Sequence, residues 1–451
     1  MTLPVLNSNR GWSSAFRRSG SASFAGGAAL CLLLTLHPPG AKPAQAATLL
    51  LKAAHVHTVS GATLSPGAVL VRDGRIADVG ATIDSPADQV LDLGGLHLYP
   101  GLIALDTSLG LAEIDSVRAS TDRAEVGEFS PDVQSWIAVN PDSELIPVAR
   151  ANGITHVQVV PGGGTVAGVS GVIALTGWTT EQMVVRKPVA LHVYWPGLDL
   201  DTRPKEYVRG SSKPKPLEEQ AKERAQKLKS LEDFFAEAAA YARARTNSAN
   251  SQLVPAWEAM LPFVRGEIPL MIHADDVRQI KSAVAWAETN HYRIMLAGAR
   301  DAWQVAPLLA AKKVPVIFTH VFTLPERDID PYDVFFKAPA VLHRAGVEFA
   351  ITSGGTWNLR NLPYNASHAM AFGLAGDDAV KSITLTPARL LGLGDRLGSI
   401  ERGKDASLIA VDGSILDLRA NVKRMWIAGQ EVSLESRHTR LYEKFKNRPR
   451  P

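Results

Sequence analysis

Cysteine is nearly missing from this chain: of 451 residues only Cys31 carries a thiol. Cys31 lies in the N-terminal segment, so residues 47–451 have no disulfide, no thiolate metal ligand and no cysteine nucleophile. An excess of one charge is missing too. The sequence holds 48 Lys+Arg against 45 Asp+Glu. Arg10, Arg17, Arg18 and Lys42, with no acid among them, fall in residues 1–46, which leaves 44 bases against 45 acids in the remainder. That balance excludes a basic nucleic-acid-binding protein. The apolar fraction of 46% and the charged fraction of 21% are those of a globular protein and exclude intrinsic disorder. A chain this long buries enough surface to need no covalent staples.

What is present first is a leader. Arg17 and Arg18 form a positive region, Phe24 to Leu36 a short apolar stretch, and Ala44-Gln45-Ala46 an A-x-A cleavage site. Residues 1–46 therefore read as a signal peptide removed after Ala46, giving a periplasmic or secreted protein. The apolar stretch is too short to span a bilayer, so no stable membrane anchor is expected. Leu30 before Cys31 argues against a lipoprotein box, and Ser19-Gly20-Ser21 after the paired arginines favours general export over the twin-arginine route.

Two β-rich pieces bracket the rest. Residues 47–99 contain an Asp73-Gly74 hairpin signal between apolar runs, and residues 393–435 again read as strand, turn, strand. Between them, in residues 100–392, short apolar runs alternate with helical stretches. The strand candidates are Leu102–Asp106, Thr155–Val160, Val172–Leu175, Val189–Val193, Leu270–His273, Arg293–Leu296, Val314–Thr319 and Val347–Thr352. Eight such strands interleaved with helices predict a TIM-like (β/α)8 barrel of parallel strands, carrying a small β-sandwich made from both ends of the chain. A doubly wound open sheet would need a glycine-rich turn opening a helix after the first strand, and none is there. The charged stretch Arg203–Arg245 reads as a solvated amphipathic helix with Leu217, Leu228, Leu231 and Phe235 near one face. Residues 436–451 read as a frayed basic tail.

Several chemistries fall away on their local context. Pro161-Gly162-Gly163-Gly164 runs into a strand rather than a helix, which excludes a phosphate cradle. Ser170, between Gly168 and Gly171, has the wrong spacing for a nucleophile elbow. His55-Val56-His57 has the H-x-H spacing of a metal pair but precedes every barrel strand, so these read as ordinary strand histidines.

The segment Tyr99-Pro100-Gly101-Leu102-Ile103 resembles the lead-in to the barrel of the amidohydrolase superfamily, where Pro-Gly-Leu-Ile precedes Asp-x-His-x-His. Asn152-Gly153-Ile154-Thr155, Ile272-His273-Ala274, Arg360-Asn361-Leu362-Pro363-Tyr364, Thr384 to Gly392 and Gly398 to Ala406 resemble further segments of that family in order, over about residues 50–435. The resemblance runs to imidazolonepropionase-type members. It implies a metal site at the strand ends: two histidines on the first strand, one on the fifth, often one on the sixth, a bridging lysine, and an aspartate on the eighth that moves water's proton. Here those positions fall on Asp106 and Ser108, His273, the Ala297-Gly298 region, Ala174 and Gly354. Only the fifth-strand histidine is retained, and a binuclear centre is not expected.

A replacement set is available. His192 and His320 end other strands, so they, His273 and Asp106 are the candidate ligands of one divalent, zinc-like metal; the alternative is no metal at all. Asp106 and Asp275 are the candidate bases, and Asp275 and Asp276 are equally placed to begin a helix. Two functions are compatible with this pattern. One is a hydrolase of non-peptide carbon–nitrogen bonds in a small cyclic amide-like substrate. The other is a non-catalytic relative that binds a small ligand or pairs with an active paralogous amidohydrolase. The expected partners are a small molecule and a second copy of the chain or that paralogue, with no nucleic acid.

Overall fold

A computed structural model describes residues 48–202, 215–247 and 252–449. The expected signal peptide and its cleavage point lie outside the described residues, as do residues 203–214 of the charged stretch. Eight strands form one sheet in chain order: β1 (Leu102–Thr107), β2 (Ile154–Val159), β3 (Val166–Ala174), β4 (Val184–Tyr194), β5 (Leu270–Ala274), β6 (Ile294–Gly298), β7 (Val316–Phe318) and β8 (Phe349–Ile351). The helices Leu217–Asn247, Val277–Asn290, Ala306–Lys312 and Val334–Arg344 return the chain between the later strands. The architecture is a TIM-like barrel.

One strand departs from the expected parallel set. β3 pairs antiparallel with both β2 and β4. The link from Val159 to Val166 is too short for a parallel crossover, which needs about a dozen residues or more. It is a glycine turn instead. Gly163 and Gly164 take φ of 86° and 66°, and a Cβ on Gly164 would meet the Gly127 carbonyl oxygen at 2.5 Å. Only glycine fits there.

Strand alternation divides the core. Ile103, Leu105, Ala190, Met271 and Ile317 fill the barrel, while Leu102, Ala104, Val157, Ile272 and Leu296 face the helices. β1 and β8 are the edges of the sheet and share no ladder. Other bonds close the seam. Thr352 Oγ1 donates to the Leu105 carbonyl at 2.7 Å. Farther down, the Ile351 and Ile103 N–H groups donate to the Ser382 and Ile383 carbonyls, each at 3.0 Å.

The bracketing pieces form a sandwich. A four-stranded sheet (Thr48–Ala53, Gly67–Arg72, Arg75–Gly80, Gln89–Asp92) faces a five-stranded one that includes His97–Pro100, Leu408–Val411 and Val422–Ile427. Leu51, Val69 and Ile76 of the first share a core with Leu98, Leu408 and Trp426 of the second. Asp73 and Gly74 both have positive φ (52° and 76°) at the expected hairpin. The apolar contacts of the long charged helix fall in its middle and second half, at Leu231, Phe235 and Ala238, with Gln220 buried in the first turn; Leu217 is 49% exposed. The C-terminal tail is a helix rather than frayed chain. Ser436 caps Arg437–Lys446, and Arg440 holds both Glu144 oxygens at 3.2 Å.

Candidate active site

The C-terminal ends of the parallel strands meet at one face, the usual mouth of such a barrel. His192 near the end of β4 and His273 near the end of β5 both point inward. His192 Nδ1 lies 3.0 Å from His273 Nε2. His192 is fully buried, and its Nε2 has no hydrogen-bond partner. Burial, and then the neighbouring His273, hold its imidazole far below the ordinary value. Burial lowers His273 as well, against the upward pull of Asp106 and Asp275. Tyr194, two residues after His192 and so on the same strand face, stacks on the His273 ring at 4.1 Å between centroids. Its hydroxyl donates to the Pro161 carbonyl at 3.0 Å. Burial, and then Asp106, push that phenol up, so it stays protonated.

Asp106 reaches this group through a local irregularity. Simple alternation would send it outward with Leu102 and Ala104. Instead Ala104 pairs with Val157 and Thr107 with Val159, so β1 has one residue more than β2 here. The extra residue is a bulge in which Asp106 takes a left-handed φ of 53°. Aspartate tolerates that conformation better than most residues. The bulge turns the carboxylate inward, to 3.9 Å from His273 Nδ1. Below it, Gln158 accepts the Asp106 N–H at 3.4 Å and donates to Ser170 Oγ at 3.0 Å.

His320 is elsewhere engaged. Its Nε2 lies 2.9 Å from Asp275 Oδ1. Partial burial would raise the Asp275 carboxyl, but the hydrogen bond from His320 and the neighbouring Arg300 outweigh it and leave the group below its ordinary value. The two aspartates after β5 thus divide their roles. Asp275 faces His320, while Asp276 caps Val277–Asn290 by accepting the Arg278 and Gln279 N–H groups at 2.8 and 3.0 Å.

The four proposed metal ligands are therefore distributed over two arrangements. Asp106, His273 and His192 form a chain, with the two rings bonded to each other, and His320 belongs to a separate pair. Among the described residues no group of three or more His, Cys, Asp or Glu side chains is arranged to hold a metal ion. A tetrahedral ion needs its protein donors around one point at about 2.0–2.2 Å. As arranged, these donors do not fit that requirement. His55 and His57 are in the sandwich, where His57 Nε2 lies 3.0 Å from His97 Nδ1, away from the mouth.

Tyr194 and Gln158 are not among the candidates that the sequence pattern offers. The period of two along β4 was a usable signal for Tyr194, but Gln158 could be found only through the bulge.

Known proteins carry the same architecture. The profile of the Amidohydrolase family matches residues 332–432. The amidohydrolase tasK of Hapsidospora irregularis is 22% identical over 405 residues, 80% of this chain but only 39% of that protein's length. An imidazolonepropionase of Mesorhizobium japonicum is 26% identical over 77% of this chain and 86% of its own. The crystal structure of an amidohydrolase from Thermotoga maritima superposes with a TM-score of 0.75 at 27% identity, covering 85% of this chain and 99% of that one. In sequence and fold the chain is similar to proteins of the amidohydrolase superfamily. Two residues that the sequence resemblance placed at or near ligand positions have local surroundings of their own. Ser108 Oγ lies 2.6 Å from Thr356 Oγ1 across the β1–β8 seam. Gly298, the last residue of β6, leaves room for Asp275: a Cβ there would meet Asp275 Oδ1 at 2.5 Å.

Proposed function

We propose that this amidohydrolase cleaves a non-peptide carbon–nitrogen bond of a small cyclic amide-like compound, with His320 and Asp275 drawing the proton from the attacking water. The observation that carries this reading is the 2.9 Å contact between His320 Nε2 and Asp275 Oδ1 at the mouth. A carboxylate that accepts the Nε2–H leaves Nδ1 as a bare acceptor, the tautomer a general base requires. Water gives its proton to His320 Nδ1 and its oxygen to the carbonyl carbon. The proton then passes to the departing nitrogen, and the ring opens to a carboxylate and an amine-type group. Asp106 provides a second carboxylate beside the reacting centre. The His, Asp and Glu donors among the described residues do not converge on one metal ion.

Magnitudes set the expected rate. A zinc ion lowers the pKa of its water from about 15.7 to about 7, worth at most ~12 kcal/mol. A positioned general base supplies about 10²–10⁴-fold, or ~3–5 kcal/mol. Turnover on this reading is slow. The leader supports action outside the cytoplasm, and no helix among the described residues is long and apolar enough to cross a membrane. A homo-oligomer or a pairing with a paralogue remains the proposed assembly.

The test is turnover of a panel of hydantoins, dihydropyrimidines and imidazolones by the full chain, with and without chelator. Asp275→Asn and His320→Gln should each lower kcat by about 10²–10⁴-fold, and chelation should not. Unchanged turnover in both variants, or loss on chelation that zinc restores, would overturn the assignment. The replaced positions at Ser108 and Gly354 favour a second reading, a non-catalytic binder. Stoichiometric binding of a cyclic amide without turnover would establish that reading instead.

A further inference from the structure

A second concave surface lies at the opposite end of the barrel. Because β3 runs antiparallel, the residues that follow it, from Leu175 to Trp178, emerge on the face away from the mouth. Arg150, just before β2, lies at the same end. These residues and Arg440 of the C-terminal helix line a cavity of about 400 Å³. Small-molecule sites typically run from about 300 to 1,000 Å³.

Arg150 is the unusual member. Its side chain is half-buried, and its Nε is buried with no hydrogen-bond partner. Nη1 reaches the Leu175 carbonyl only at 3.5 Å, the long limit of a hydrogen bond. Among the described residues no carboxylate forms an ion pair with Arg150, whereas Arg440 across the cavity is held by Glu144. A buried charged donor without an acceptor costs about 1–3 kcal/mol or more, so the guanidinium is a cation without its anion. Beside it Trp178 stands 90% exposed at the rim. A large indole in that position is a ready stacking surface. Asp142 and Glu144 also line the cavity, which disfavours a doubly charged phosphate and favours a single negative charge.

We propose that this cavity binds a small aromatic carboxylate, its carboxylate held by the Arg150 guanidinium and its ring lying against Trp178. The site is independent of the catalytic reading, since it sits at the other end of the barrel and shares no residue with the mouth.

Calorimetric titration of the full chain with phenylacetate tests it. One equivalent should bind. Arg150→Gln should weaken binding about tenfold or more, the value of a charge-assisted hydrogen bond. Trp178→Ala should weaken it several-fold, the value of one aromatic pair, ~0.5–1.5 kcal/mol. Because Trp178 is so exposed, that variant keeps the test valid even if Arg150→Gln fails to fold. 2-Phenylethanol, with the same ring and no charge, should bind at least about tenfold more weakly than phenylacetate. Asp275→Asn should leave the affinity unchanged, which separates this site from the mouth. Failure of phenylacetate to bind, equal affinity for the alcohol, an affinity that survives both cavity variants, or one lost in Asp275→Asn would overturn the proposal.

Discussion

His192 and His273 share a single hydrogen bond, Nδ1 to Nε2 over 3.0 Å, and their surroundings set its direction. A neutral imidazole has one N–H. If His192 carried it on Nε2, a buried donor would be unpaired and His273 Nδ1 would turn a lone pair toward the Asp106 carboxylate. If His192 carries it on Nδ1, that N–H donates to His273 Nε2, and the His273 Nδ1–H faces Asp106 at 3.9 Å. The second arrangement leaves only an acceptor unsatisfied, the more readily tolerated defect. A further proton on His192 would put charge where water cannot reach it, and burial, though less complete at His273, lowers both values.

A pH dependence of stability follows. His156 on β2 is also buried, and burial first, then Arg396, brings it to about 3 from an ordinary 6.5. In the unfolded chain this ring and His192 protonate near 6.5; in the fold they stay neutral. The unfolded state therefore binds more protons below that value. Their contribution is fully present above pH 6.5 and is lost progressively as pH falls. His156 costs ~1.4 kcal/mol per pH unit, so about 2 kcal/mol between pH 6.5 and 5, and His192 acts in the same direction. Urea midpoints should fall over this interval, and His156→Gln should flatten the fall even if it lowers the midpoint at pH 7. A midpoint independent of pH across the window would show that these rings accept protons in the folded protein.

Arg327 links stability to the mouth. Its guanidinium makes two 2.7 Å bonds to the fully buried carboxylate of Asp301 and a third, also 2.7 Å, to Asp330. The Asp301 N–H in turn donates to the Asp275 carbonyl at 2.8 Å. The clamp thus fastens the loop after β7, which carries His320, to the segment that carries Asp275. Among the described residues, Arg327→Ala would leave the buried Asp301 carboxylate with only Arg300 Nε at 3.9 Å, and breaking a buried pair costs about 3–5 kcal/mol. The Arg327 side chain is 38% exposed, so the lower end, about 3 kcal/mol, is expected. Arg327→Lys should recover only part of it, because an ammonium lacks the planar fork. Chemical denaturation of the two variants checks the order. Equal stability of Lys and Ala at this position would mean that the fork geometry contributes nothing.

The sequence reading places the barrel well because each strand is a short, β-branched apolar run flanked by helical stretches. It starts β3 at Val172, six residues after the observed Val166, since Gly168 and Gly171 interrupt the apolar pattern. The direction of β3 is set by the shortness of its connections, a property of spacing rather than composition. At the mouth the residues were identifiable but their partners were not. Asp106 depends on a one-residue bulge that no pattern announces. The pairing of His320 with Asp275 joins the ends of β5 and β7, so it exists only once the barrel has curled. The helix Arg437–Lys446 reads as a tail because its composition is basic, while its capping Ser436 and its contact with Glu144 lie in local geometry and in the fold.

Gly298 gives the sharpest test of the catalytic pair. It ends β6, has φ of 78°, and would leave only 2.5 Å between an added methyl carbon and Asp275 Oδ1. That oxygen is the one His320 contacts. An alanine at this position must displace the carboxylate or be displaced itself, at a cost of about 1–3 kcal/mol for the positive φ alone. Gly298→Ala should therefore lower kcat about 10–100-fold with little change in KM, since the base is misplaced rather than the substrate. The cause can be isolated by combining variants. If the methyl acts through Asp275, Gly298→Ala should have almost no further effect on kcat in an Asp275→Asn background, where the base is already lost. A full additional loss there would show that the glycine serves the backbone alone, and the coupling between these two positions would have to be abandoned.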